Sequence, residues 1–108
     1  MLRRMKLDRN DLDRVADFFR AFSEATRLAL LQELKDRPRT VGELVDALPS
    51  TQANVSKQLK ILHAAGLVER RKEGTSVYYS ICEPMVMELC RIACDKLNRN
   101  ARTRRLRF

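Results

Sequence analysis

At Gly66 the apolar residues of this 108-residue chain change their spacing. Before it, in "STQANVSKQLKILHAAGL", Val55, Leu59 and Leu62 recur at three- and four-residue steps, the period of a helix with one buried face. After it, in "LVERRKEGTSVYYSI", the period drops to two, and Leu67, Val68, Val77, Tyr79 and Ile81 supply apolar and β-branched character. Glycine just past the last helical position is a natural stop, because it accepts the left-handed backbone that ends many helices. The stretch therefore reads as a helix that runs straight into a β-hairpin joined at Glu73-Gly74.

Upstream, three more helices are legible. In "DRNDLDRVADFFRAF", residues 8–22, Leu12, Val15, Phe18, Phe19 and Phe22 keep the helical period, and Asp8 and Asp11 favour its start through the macrodipole. "EATRLALLQELK", residues 24–35, buries Leu28, Leu31 and Leu34 and ends shortly before Pro38. Thr40, with Glu43 three residues on, has the capping-box pattern for a short helix "VGELVDAL" that Pro49 stops. Ser50 or Thr51 then caps the helix that ends at Gly66. A short helix, a tight turn and a longer helix with a polar surface near its start form a helix-turn-helix, and a hairpin directly behind it is a wing.

A last helix follows Pro84 in "CEPMVMELCRIACDKL", and the tail "NRNARTRRLRF" has five arginines and little to bury, so it is expected to be a frayed helix end or disordered. The expected architecture is mainly α with a small β-hairpin: four helices, two strands and a closing fifth helix. It forms one domain over residues 8–98, between an N-terminal extension, 1–7, and a basic tail, 99–108.

The net charge of +8, from 22 Lys and Arg against 14 Asp and Glu, points to nucleic acid or an anionic membrane as partner. No run of about 18 apolar residues is present, so the sequence predicts no bilayer span. The N-terminus has no apolar core of a secretory signal. Three cysteines clustered at one end are no disulfide framework, and a reducing cytoplasm is the expected home. One histidine, no metal-ligand triad and no Gly-rich phosphate loop leave no catalytic set, so an enzyme is not expected.

A recognition helix needs hydrogen-bonding side chains near its N-terminus, the end that enters the major groove. Gln52 pairs well with adenine edges, Ser56 serves bases or phosphates, and Lys57 reaches guanine or a phosphate. Thr51 stands beside a helix N-terminus that itself attracts phosphate. The tip of the wing is expected to carry Arg70, Arg71, Lys72 and Thr75, which suit backbone contacts that position a protein without reading sequence. Taken singly, each is as well explained as an ordinary solvated side chain. Taken as an ordered set on a basic chain, they indicate double-stranded DNA. His63, with no second nitrogen ligand, reads as a surface residue of the same helix.

The segments "SEATRLALLQEL", "TVGELVDAL" and "QANVSKQLKILHAAGLVERRKEGTSVYYSI" resemble the ArsR/SmtB family of winged-helix repressors over roughly residues 12 to 97. The resemblance implies a homodimer joined through its first and last helices, which binds operator DNA and leaves it when an effector arrives. By position, the family's recognition contacts fall on Gln52, Ala53, Ser56 and Lys57; Ala53 stands where a serine is often found, so one hydroxyl contact is missing. A two-fold dimer would set its recognition helices about 34 Å apart and call for a palindromic operator.

The resemblance also tests for metals. The family's cysteine pair in the third helix has no counterpart in "TVGELVDAL". Its ligand positions on the last helix fall on Glu83, Met85, Lys96 and Arg99, and cationic Lys96 and Arg99 do not ligate a metal at neutral pH. The thiols remain. Cys90 and Cys94 share a helix face, with Cβ atoms about 5–6 Å apart, and a thiophilic metal or metalloid ion at that pair is one reading. Cys82, about 12 Å further along if the helix were continuous, would join only by a fold-back or from another subunit. Redox sensing is a second reading and simple packing a third. A rival to the regulator as a whole is a thiol metal-binding or redox protein whose charge serves something other than an operator.

Overall fold

The computed structural model describes residues 6–99 and 104–108. It contains α1 (Arg9–Arg20), α2 (Ala25–Glu33), β1 (Arg39–Thr40), α3 (Val41–Ala47), α4 (Gln52–Ala64), β2 (Val68–Glu73), β3 (Ser76–Ile81) and α5 (Met85–Arg99). Five helices and a hairpin match the expected architecture, with one addition. The sheet has three antiparallel strands in the order β1-β3-β2. The extra strand pairs Arg39 with Tyr79 and Thr40 with Tyr78, which fastens the wing to the start of α3.

The helix ends follow from local chemistry. Asp8 and Asp11 form a reciprocal capping box on α1, and Thr40 and Glu43 form one on α3. Hydrogen bonding to the Thr40 backbone, helped by Arg37, holds the Glu43 carboxyl below its usual range. Thr51, rather than Ser50, caps α4 by accepting from the Asn54 amide at 3.1 Å. At the other end of α4, Gly66 has φ +76°, its amide bonds to His63 and the Leu67 amide reaches back to Leu62. Those two bonds are a Schellman closure, and they turn the chain directly into β2.

The core gathers Leu30 and Leu31 from α2, Leu44 from α3, Val55, Leu59 and Leu62 from α4, and Val86 from α5, all fully buried. The outer helices are different. No residue of α1 is buried, and Leu12, Val15 and Phe19 are exposed along it. Phe18 and Phe22, edge to face at 5.4 Å, are the residues that turn inward against the core. On α5, Met85, Ile92 and Leu97 are exposed. A radius of gyration of 16.5 Å exceeds the value of about 13 Å for a compact chain of this length.

The basic tail departs from its expectation as a frayed or disordered end. Residues 104–108 lie back against the protein. Asn98, a buried polar residue of α5, donates to the Leu106 carbonyl and accepts from the Leu106 amide, both at 2.7 Å. Lys35 donates to the Phe108 carbonyl at 2.8 Å, and the Phe108 ring packs on the core. A side-chain amide that pairs with a backbone amide in both directions mimics one rung of a β-ladder. Residues 1–5 of the expected N-terminal extension and 100–103 of the tail lie outside the described residues.

Candidate nucleic-acid interface

Helix α4 divides cleanly into two faces. Val55, Gln58, Leu59 and Leu62 are buried, while Gln52, Ala53, Ser56, Lys57, Lys60 and His63 are exposed. Thr51 is exposed at the N-cap. The structure therefore brings Thr51, Gln52, Ala53, Ser56 and Lys57 together on the first turns of one outward face, beside a helix terminus with partial positive charge.

The wing residues are dispersed by the pleat. Register pairs Val68 with Ile81, Arg70 with Tyr79 and Lys72 with Val77, and Arg71 with Tyr78. Side chains alternate along a strand, so Arg70 and Lys72 stand on the face shared with Tyr79, and Arg71 stands on the other. Tyr79 packs on the core. The tip belongs to Gly74, with φ +62°, and Thr75. Grouping Arg70, Arg71 and Lys72 at the tip is thus corrected: all three are exposed strand residues, on two faces. Arg71 is also held by Glu73, with Nε donating to the carboxylate at 2.7 Å.

The thiols separate as well. Cys90 is buried at 6% exposure and continues the inward line of Val86, while Cys94 is half-buried on the same side. Burial, then the neighbouring Cys94, push the Cys90 thiol above its usual pKa. Cys94 borders a groove of about 600 Å³ between α5 and the returning tail, next to Met87, Arg91 and Leu106. Cys82, exposed after β3, points its thiol at the Gly66 carbonyl across 3.5 Å. Among the described residues, no three or more His, Cys, Asp or Glu side chains converge where they could hold an ion. Cys90 and Cys94 would supply two of the four ligands that a tetrahedral thiolate site takes. Met85, Ile92 and Leu97 are the exposed large apolar residues of α5, whereas Cys90 is buried within its own chain.

Two polar residues of consequence escape a pattern-based reading. Gln58 is 5% exposed inside the apolar stripe of α4, and Arg27 on α2 reaches it. The i, i+3 spacing from Val55 to Gln58 was the available signal for burial; the partner 31 positions away gave none.

Helix-turn-helix, hairpin wing, an exposed polar face on the second helix and a basic surface define a winged helix DNA-binding domain. A helix-turn-helix domain model matches residues 22–71. The chain is 36% identical over 85 residues to the uncharacterized HTH-type transcriptional regulator Rv0081 of Mycobacterium tuberculosis, covering 78% of this chain and 75% of that one. The crystal structure of Rv0081 superposes with a TM-score of 0.76, covering 82% of this chain and 89% of that one. The transcriptional repressor SmtB homolog of Synechocystis is 37% identical over 93 residues, 86% of this chain and 69% of that one. A homodimeric winged helix-turn-helix DNA-binding domain from Mycobacterium bovis, Mb0332, a possible ArsR-family regulator, is 29% identical with a TM-score of 0.74, covering 92% and 96%. The chain belongs to the ArsR/SmtB family of DNA-binding transcriptional regulators, which are not enzymes. No described helix is long and apolar enough to cross a membrane.

Proposed function

We propose that the protein acts as a homodimeric repressor in the cytoplasm: it holds a palindromic operator through two copies of α4 and leaves it when an effector binds. The observation that carries this reading is the contrast between two surfaces. The first turns of α4 offer Gln52, Ser56 and Lys57 to solvent, whereas α1 and α5 leave Leu12, Val15, Phe19, Met85, Ile92 and Leu97 exposed. Exposed apolar residues on two helices of one small domain call for a partner, and a second copy supplies the matching surface through a two-fold axis.

In this arrangement Gln52 reads a base edge, Ser56 and Lys57 contact bases or phosphate, and the Thr51 end of α4 receives a phosphate. Ala53 adds an apolar contact and no hydrogen bond. Arg70 and Lys72 hold the backbone from one face of the wing, Arg71 from the other and Thr75 from the tip, which positions the domain without selecting sequence. Titration of a palindromic duplex from the protein's own promoter, followed by fluorescence anisotropy at moderate salt, tests this. Binding well above that of a random duplex is expected; equal binding to both would refute the repressor reading.

A further inference from the structure

A chain of four side-chain hydrogen-bonding groups links the end of α1 to the start of α4. The Arg27 guanidinium caps α1: Nε donates to the Ala21 carbonyl at 2.9 Å and Nη2 to the Arg20 carbonyl at 2.8 Å. Its remaining arm, Nη1, donates to Gln58 Oε1 at 2.7 Å. Gln58 Nε2 donates to Asn54 Oδ1 at 3.0 Å, and Asn54 Nδ2 donates to Ser50 Oγ at 2.9 Å.

The direction of this chain is forced. Arginine has donors only, so Gln58 must turn its oxygen toward Arg27 and its amide nitrogen toward Asn54. Asn54 must then present its oxygen to Gln58 and its nitrogen to Ser50. One rotamer of each amide satisfies all the partners, and Gln58 is almost wholly buried, where an unmade bond is costly. The chain runs from the last carbonyls of α1 to Ser50, immediately before the N-cap of α4.

We propose that Arg27 and Gln58 are positioning residues that set the orientation of α4 relative to α1, and through it the half-site spacing that the dimer accepts. The proposal rests on the reading above, in which α1 belongs to the dimer contact and α4 to the DNA contact. A hydrogen-bonded lock between those helices fixes the angle at which two recognition helices emerge from the two-fold axis. Apolar packing of Val55, Leu59 and Leu62 alone permits small rolls of α4, whereas a chain of directed bonds does not.

The test uses the full-length protein and two duplexes: one selected by the wild-type chain from random sequence, and the same duplex with one base pair inserted at its centre. Gln58→Met keeps the side-chain volume and removes the amide. Its folded dimer is expected to lose about tenfold in affinity for the selected duplex, within the usual range of coupling between sites, while affinity for the lengthened duplex stays nearly constant. Preference for spacing then collapses, which a role in stability alone would not produce. Arg27→Lys should behave alike, since one ammonium cannot reach three acceptors on two helices in fork geometry. If Gln58→Met does not fold, Arg27→Lys, which leaves Gln58 in place, carries the test, and the same collapse is expected. Unchanged spacing preference, or equal loss on both duplexes, overturns the proposal. A wild-type chain that selects no duplex over random DNA sinks the operator reading and this inference with it.

Discussion

On the wing, Arg71 and Glu73 lie two positions apart on one face of β2, and the arginine Nε donates to the carboxylate at 2.7 Å. Both side chains are more than half exposed, so the pair adds little to stability. On the proposed DNA interface its consequence is electrostatic: a carboxylate engages the arginine proposed to meet a phosphate. Glu73→Gln is expected to tighten DNA binding a few-fold, and Arg71→Ala to weaken it, with the order of preference among duplexes unchanged in both. Competition titrations across a panel of duplexes check this; a changed order would show the wing reading bases.

Lys57 stands on the exposed face of α4, near the end that carries the N-cap. If it meets a phosphate, Lys57→Ala weakens binding to all duplexes and lowers the slope of log affinity against log salt by about 1. The slope is read from anisotropy titrations at several salt concentrations. Unchanged affinity and slope would remove Lys57 from the interface.

The apolar stripes predict the effect of charge on assembly. Phe19, 53% exposed on α1, and Ile92, 54% exposed on α5, have no role in the core of one subunit. Phe19→Asp and Ile92→Asp should leave the helical content of the domain unchanged, read by circular dichroism, while shifting the mass in solution from dimer to monomer. Light scattering after size exclusion measures the mass. Dimers that survive both substitutions would place the contact elsewhere.

The three thiols should react in order of exposure, Cys82 before Cys94 before Cys90. At neutral pH the raised pKa of Cys90 keeps it protonated and unreactive. A thiol whose folded pKa lies above its unfolded value of about 8.5 stays neutral in the fold while the unfolded chain loses its proton. Its contribution to stability is complete below the unfolded pKa and is lost as pH rises through the folded one. Cys90→Ala should therefore flatten the alkaline decline of stability, measured by denaturant unfolding between neutral and alkaline pH. Timed alkylation with peptide mapping gives the order; Cys90 reacting first would contradict its burial.

Gly66→Ala tests the junction between α4 and the wing. Nothing lies within 4 Å of an added Cβ, so the φ of +76° alone opposes it. A loss of about 1–2 kcal/mol is expected, measured by urea unfolding, and a neutral substitution would show that the turn relaxes.

Features governed by near neighbours in sequence were legible there. The Thr40 and Glu43 box, the Gly66 stop and the two faces of α4 each depend on residues within one or two helical turns. The strand Arg39–Thr40 was not, because two residues carry no period and pair only once Tyr78 and Tyr79 are alongside. The tail looked solvated because its arginines dominate its composition, whereas its order comes from Asn98, whose amide turns back onto Leu106, and from Lys35, 73 positions from Phe108. The wing cations formed a run in sequence, and the pleat split them. Gln58 and Arg27 became visible as partners only when the fold brought α2 and α4 together.

In the proposed dimer, two copies of α4 related by a two-fold axis read one operator. Hydroxyl-radical footprinting of the selected duplex tests it most directly. Two symmetric protected segments on one face of the DNA, centred about one helical turn of 10–10.5 base pairs apart or a multiple of it, are expected. A single protected segment, or protection without symmetry, would rule that arrangement out.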